Sequence, residues 1–505
     1  MAAPTSRRRG PAAPAGRPDP ARRAVCDVLL AVDQRGAYAN LLLPSILRER
    51  RLSGRDAALA TELCYGTLRG QGTYDAILEM CSDRRVARMD PPVREALRLG
   101  VHQLLATRVA THAAVATSVD LAKQTAGARP AGFVNAVLRR VATRDLDDWM
   151  SVVAPDRLAD PAGYLAVRHS YPRWVVTAFA DALGEGAAGT VAASPKPVPA
   201  AAELAETGLA EAGLAGVRLP ETVLAGTEAE LAAGNVAPRV TLCATPGACE
   251  PGDLATVGEP ARWSPFGVYL AEGDPSAVPA VRERRATVQD EASQLVALAL
   301  ARAGVGEQDR RWLDLCAGPG GKASLLAGLA AQRGARLVAA DARPRRAGLA
   351  RDMLAGPGGS HPAVLVADGT VPAWRPGAFD RVLADVPCCG LGSLRRRPES
   401  RWRRSPGQVA ELAELQRSLL ATALQAVRPG GVVGYATCSP HVAETREIVA
   451  TALAGRPEFE VIDAPALLPE VPDLAEAAPF GSFAQFWTHR HGTDGMFLAV
   501  IRRLA

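Results

Sequence analysis

Lysine is almost absent from this 505-residue chain: Lys123, Lys196 and Lys322 stand against 55 arginines. Such a bias turns surface lysine into arginine without touching a fold, so each surviving lysine is worth inspecting. Aromatic residues make up only 5%, while alanine supplies 98 positions, so packing must lean on Ala, Leu and Val. The pattern CxxC never occurs, and the nine cysteines form no even ladder. That speaks against a disulfide scaffold or a zinc ribbon, and no metal site is expected; a reducing cytoplasm fits better. No apolar run reaches the roughly 18 residues of a membrane span, and the first residues lack the apolar core of a secretory signal. A largely disordered chain is excluded too, because the hydrophobic fraction is 48% and the charged fraction 22%.

What is present reads as several domains, two to four at roughly 100–200 residues each. Residues 1–20 are rich in Pro and Ala, carry Arg7, Arg8, Arg9 and Arg17, and read as a disordered basic tail. Residues 21–150 repeat apolar positions at helical spacing: Val25, Val28, Leu29 and Val32; Leu59, Leu63 and Cys64; Ala96, Leu97, Val101, Leu104 and Leu105. Ser53-Gly54 and Asp90-Pro91-Pro92 have helix-opening chemistry, and a bundle of about five to seven helices is expected. Residues 155–285, with a helical run opened by Ser170-Tyr171-Pro172-Arg173-Trp174 and a loose 191–262, suggest a linker and a small middle α/β subdomain.

From 286 to 505 short apolar strands alternate with helices. Strands are expected at 312–315, 336–340, 363–366, 381–384 and 432–435, with helices near 323–333, 344–354, 407–427 and 441–454. This is the pattern of a parallel sheet covered on both faces, whose ligands sit beyond the C-terminal strand ends. The first strand runs into Cys316-Ala317-Gly318-Pro319-Gly320-Gly321-Lys322, where glycines let a ligand approach the backbone and a helix offers free N–H groups. The spacing is not that of a phosphate-gripping GxxxxGK[ST] loop. Asp341 ends the second strand, where a carboxylate can hold ribose hydroxyls, and Asp368 follows the third, placed to accept from an adenine amino group. The glycines alone would suit any βα turn, but loop and two acids in order point to a nucleotide-like cofactor.

Asp385-Val386-Pro387-Cys388-Cys389 ends the fourth strand and Thr437-Cys438-Ser439-Pro440 the fifth, so two cysteines reach the same edge. Strand-end cysteines are usually inert packing; two beside an acid argue otherwise. Ser439 and Pro440 read as the cap and first position of a helix, whose N-terminus would stabilise a Cys438 thiolate. Arg395, Arg396, Arg397, Arg401, Arg403 and Arg404 place six arginines in ten residues just beyond the Cys388 loop, and are expected to grip phosphates.

Two resemblances join these readings. Ala21-Arg22-Arg23-Ala24, the stretch from Asp56 to Gly66, His112-Ala113-Ala114-Val115 and the run from Phe133 to Arg140 resemble the NusB family, an all-helical RNA-binding fold. The loop 314–322, Asp385-Val386-Pro387-Cys388, Thr437-Cys438-Ser439, the run Val288-Gln289-Asp290-Glu291-Ala292-Ser293-Gln294 and His491-Gly492-Thr493-Asp494-Gly495-Met496-Phe497 are similar to motifs of the NOL/NOP2/Sun family of RNA 5-methylcytosine methyltransferases. The resemblance covers roughly 21–150 and 287–502. Between them the family's Asn/Arg-containing stretch is replaced by 194–199, and Cys389 stands where the family more often has Ser.

The resemblance implies a Rossmann-like class I methyltransferase domain behind a NusB-like domain, S-adenosyl-L-methionine as cofactor and small-subunit ribosomal RNA as partner. It also implies that a Cys438 thiolate adds to C6 of cytosine to make C5 nucleophilic, and that Cys388 assists its elimination. Lys322 and Asp385 would meet charge on the ring, and residues 316–322, Asp341, Asp368 and Asp385 would hold the cofactor. A cytoplasmic monomer with no membrane partner is expected. Two other readings stay open: an RNA-binding assembly factor with a vestigial catalytic domain, and an amino-group methyltransferase that needs no thiol nucleophile.

Overall fold

The computed structural model describes residues 19–184, 220–306, 308–356, 362–474 and 482–505. Residues 1–18 of the basic tail and the departure at 194–199 lie outside them. The chain forms two compact units. One runs up to Asp156 and takes in Ala166–Ser170 and Arg397–Glu399; the other holds Arg157–Leu165, Tyr171–Arg396 and Ser400–Ala505.

The first unit is all helical among the described residues: α1 (Pro20–Arg35), α2 (Ala39–Glu49), α3 (Gly54–Cys81), α4 (Pro91–Ala106), α5 (Thr111–Ala126), α6 (Ala131–Val141) and α7 (Leu146–Val153). Asp19 caps α1 by accepting from the Arg22 N–H at 3.0 Å, Pro20 occupies its first turn, and Gly36 at φ +63° closes it. Val93 to Gln103 are buried without interruption, so α4 is the axis of the bundle rather than a surface helix. Leu29, Leu63, Ile77 and Leu78 are fully buried in the same core, as are its own Leu97 and Leu99. Each such side chain contributes about 1.5–3 kcal/mol of apolar burial.

The second unit begins with helices α8 (Pro161–His169, shared with the first unit), α9 (Arg173–Gly184) and α10 (Glu221–Ala233). Strands β1 (Thr241–Ala244), β2 (Gly258–Pro260), β3 (Gly267–Leu270) and β4 (Ala286–Val288) then form an antiparallel sheet in the order β2-β3-β1-β4. Helix α11 (Glu291–Arg302) follows, capped by Asp290.

The large sheet contains β5 (Arg311–Asp314), β6 (Arg336–Asp341), β7 (Ala363–Val366), β8 (Phe379–Asp385), β9 (Val427–Thr437), β10 (Phe459–Ile462), β11 (Ala484–Gln485) and β12 (Phe497–Arg503). Its order is β10-β12-β9-β8-β5-β6-β7, with β11 beside β12. The five strands from β9 to β7 are parallel, and β12 returns antiparallel to β9. Helices α12 (Gly321–Gln332), α13 (Pro344–Leu354), α14 (Pro406–Ala426) and α15 (Arg446–Leu453) connect them. Side chains alternate between two cores: Trp312, Leu383, Val432 and Ala436 enter one; Leu313, Val382, Ala384, Val433 and Tyr435 the other. Both faces of the sheet are therefore dry over β5, β8 and β9, as the near-continuous apolar strands predict, whereas the edge strand β7 is largely exposed.

One expected element differs. No helix begins at Ser439-Pro440; a single 3₁₀ turn at Val442–Glu444 precedes α15, which starts at Arg446. Ser439 instead accepts from the His441 N–H through its own hydroxyl at 3.1 Å, a local turn that competes with helix initiation.

Candidate active site

The C-terminal ends of β5, β6, β8 and β9 meet at one edge. Leu315 and Ala317 donate their N–H groups to Leu383 and Ala340 carbonyls at 2.8 Å each, so the loop leaves the sheet between β8 and β6. Asp314 at the end of β5 is buried; its Oδ1 accepts from Cys316 N at 3.3 Å and its Oδ2 has no partner among the described residues. Burial, then the charge of Asp385, push its carboxyl up to about 8, against the opposing pull of Lys322. Burial beside these acids also lifts the Cys316 thiol far above its ordinary range.

Gly318 donates to Asp341 Oδ2 at 3.1 Å, and a Cβ there would lie 2.5 Å from that oxygen. Gly320, at φ +120°, starts the turn into α12 with a conformation closed to L side chains. Asp341 also accepts from Arg343 N at 2.9 Å and pairs with Arg346 Nε at 3.2 Å, so its carboxylate is tied into the loop. Asp368 is exposed after β7, its Oδ1 accepting from Thr370 N at 2.9 Å and Oγ1 at 2.7 Å.

Lys322, in the first turn of α12, reaches Asp385 Oδ2 at 3.0 Å. Burial alone would lower its pKa, but the Asp385 charge and hydrogen bond outweigh it, and the ammonium is held above its ordinary value. Close by, Cys388 Sγ and Cys438 Sγ are 3.2 Å apart. The pair splits its proton affinity. The hydrogen bond from Cys388 lowers Cys438 despite burial and Asp385, with Lys322 helping; the same bond, then burial, raises Cys388 well above a free thiol. Contact with the Cys388 thiol, rather than the expected helix N-terminus, is therefore what favours the Cys438 thiolate.

Three residues that sequence reasoning passed over hold this geometry. Glu444 is fully buried and accepts from Cys389 N at 2.7 Å, Cys389 Sγ at 2.6 Å and Gln416 Nε2 at 3.2 Å. Gln416 also donates to Pro387 O at 2.8 Å, and the Tyr435 hydroxyl to Glu444 O at 2.8 Å. The loop is thus pinned on both sides of Cys388. Gly392 N meets Cys438 O at 2.9 Å, which ties the two cysteine loops through the backbone.

The family models agree with this layout. The model described as 16S rRNA methyltransferase RsmB/F matches residues 303–502, and the NusB family model matches 19–143. The Ribosomal RNA small subunit methyltransferase B of Sodalis glossinidius is 32% identical over 90% of this chain and 91% of its own length. The chain belongs to the RsmB/F family of ribosomal RNA methyltransferases. Rv1407 of Mycobacterium tuberculosis, itself named only as a methyltransferase, is 47% identical over 99% of this chain and 100% of its own. The crystal structure of PH0851 shares the fold with a TM-score of 0.73 at 18% identity, covering 97% of this chain and 99% of that one.

Members of the RsmB/F family use S-adenosylmethionine, and the residues here fit it. The fit rests on the unpartnered Asp314 Oδ2, while Gly318 and Gly320 let the loop pack closely against Asp341 and Ala350.

The arginine run needs correction. Arg395 Nε pairs with Asp494 Oδ1 at 2.6 Å and its Nη2 with Asp290 Oδ2 at 2.9 Å; Arg396 reaches the same two acids at 2.7 and 2.6 Å. Arg401 is 0% exposed, lies 3.7 Å from the Tyr171 ring centre, and donates to Asn235 Oδ1 at 2.8 Å and Gly234 O at 2.9 Å. These three guanidiniums serve the fold. Arg397 is exposed and Arg403 and Arg404 are half-buried. The signal for the pairing lay in Asp290 and Asp494, each inside a recognised motif but far away in sequence.

Proposed function

We propose that the protein transfers a methyl group to C5 of a cytosine in small-subunit ribosomal RNA, with Cys438 as the nucleophile. The carrying observation is the 3.2 Å thiol pair whose members lean to opposite protonation states. C5 of cytosine is too electron-poor to take a methyl group unaided. A Cys438 thiolate adding to C6 breaks the C5–C6 double bond and leaves C5 electron-rich. S-adenosylmethionine, when bound, supplies an electrophilic methyl group. Lys322, kept protonated by Asp385, places positive charge where the ring gains negative charge at N3 and O2. A base then takes the C5 proton, the double bond re-forms and the Cys438 sulfur leaves as thiolate, received by the Cys388 S–H that already faces it. The base must be flipped from its stack to enter, and exposed Arg397 with half-buried Arg403 and Arg404 are the arginines of the run assigned to the phosphates.

Two variants test the assignment. Cys438→Ala should bind RNA and cofactor yet give neither adduct nor product. Cys388→Ala should attack and methylate, then stall, leaving protein linked to RNA in a denaturing gel. The reverse pattern would exchange the two roles. An amino-group methyltransferase would show no linked band from either variant, and its methyl would map to an exocyclic nitrogen.

A further inference from the structure

Gln289 breaks the rule that buried polar groups are hydrogen-bonded. It is 7% exposed, and neither its Nε2 nor its Oε1 has a partner among the described residues. Its backbone, by contrast, is fixed on both sides: its N–H donates to Thr241 O at 2.9 Å, and its carbonyl accepts from Gln294 Nε2 at 3.0 Å. The next residue, Asp290, caps α11 and anchors Arg395 and Arg396. The side chain is therefore aimed by a rigid support, and it is aimed at the cofactor loop. A Cβ on Gly321 would stand 3.7 Å from Gln289 Cδ and 3.9 Å from its Oε1. A donor and an acceptor, side by side and dry, face the start of the helix that follows the glycine loop.

We propose that the Gln289 carboxamide binds the amino-acid end of S-adenosylmethionine, its Nε2 donating to the α-carboxylate and its Oε1 accepting from the α-ammonium. The proposal rests on the cofactor assignment above. Sheet order favours this end of the ligand. The thiols follow β8 and β9, Asp341 and Asp368 follow β6 and β7, and β5 lies between. A sulfonium carrying its methyl group toward the thiol side and its ribose toward Asp341 has one arm left, over the β5 loop where Gln289 waits. That arm alone carries both a carboxylate and an ammonium, the pair a carboxamide complements. The N-terminus of α12 adds an attraction for the carboxylate.

Calorimetry with two probes tests this. S-adenosylhomocysteine keeps the amino-acid end; 5′-methylthioadenosine lacks it. Gln289→Met, an apolar replacement of similar length, should weaken S-adenosylhomocysteine by about tenfold or more and leave 5′-methylthioadenosine unchanged. The melting temperature of the ligand-free variant should hold or rise, because two unpaired polar atoms leave the interior. Gln289→Glu should also weaken S-adenosylhomocysteine, by setting a carboxylate against a carboxylate. Equal loss for both probes, or a lower melting temperature without ligand, would make Gln289 a structural residue and overturn the proposal. Unchanged S-adenosylhomocysteine affinity with a raised KM for RNA would overturn it in favour of contact with the target base. A wild-type protein that binds neither probe would remove the cofactor assignment itself.

Discussion

The two cysteine loops and the arginine run between them are both dense in one kind of chemistry, and the structure treats them in opposite ways. Cys388 and Cys438 meet each other, and the contact tunes both. Arg395, Arg396 and Arg401 meet acids, a ring and carbonyls, and the contacts use them up. Reactive groups stay available when their partner is another reactive group at an open strand end. Charges are consumed when distant segments bring them matching acids in the interior. Local density in sequence does not distinguish the cases.

The largest effect that would sharpen this contrast is on stability. Asp494→Ala should leave two guanidiniums against a single acid, with Arg395 buried. Breaking such a pair costs about 3–5 kcal/mol, and urea unfolding should show it as a lower midpoint. Arg397→Ala, on an exposed side chain of the same run, should stay within about 0.5 kcal/mol. Equal effects would erase the distinction between structural and available arginines.

Next in size is Glu444→Gln. The carboxylate accepts from three donors, and an amide would turn an N–H group toward at least one of them. The expected cost is about 1–3 kcal/mol in the same urea experiment. Cys388 should lose its fixed place as well, so adduct should accumulate at native temperature. A variant with wild-type stability and turnover would free the loop from Glu444.

A smaller shift tests the thiol pair directly. Cys438 lies below its ordinary pKa first because of its contact with the Cys388 thiol, so removing that thiol should raise it. Alkylation follows the thiolate, which increases as pH climbs through the pKa. In Cys388→Ala the pH midpoint for iodoacetamide labelling of Cys438, read by mass spectrometry, should move upward; one pH unit would be about 1.4 kcal/mol of lost preference. A midpoint that stays or falls would mean that Lys322 alone sets the thiolate.

Much of this was legible because strands announce themselves. The five expected strands appear, and with them the shared edge that gathers Asp314, Asp341, Asp385, Cys388 and Cys438, because strand ends in a parallel sheet are fixed by topology. Lys322 stood out through a compositional bias. Glu444 gave no signal: a glutamate in a helical-looking stretch reads as solvent-facing until the 3₁₀ turn at Val442–Glu444 rotates it inward. The same turn removed the helix start expected at Ser439. Gln289 sat in a motif that marked the family without saying what the side chain does, and its missing partners become visible only when burial is known.

The smallest effect concerns RNA, and it asks whether the arginine run retains any of its expected role. Each phosphate contact on a single strand contributes about 0.7 to the slope of log affinity against log salt. With Arg395, Arg396 and Arg401 committed to the fold, Arg397, Arg403 and Arg404 are the arginines of this run assigned to phosphates. Their joint replacement by Ala should flatten the slope by up to ~2.1 while leaving the urea midpoint nearly unchanged. Arg395→Ala should do the converse, lowering the midpoint and leaving the slope alone, because its charge is already balanced by Asp290 and Asp494. The two variants lie in one short segment and should respond to different variables, one to salt and the other to denaturant. A salt slope unchanged by the triple replacement would assign the whole run to the fold and move the RNA-gripping surface elsewhere.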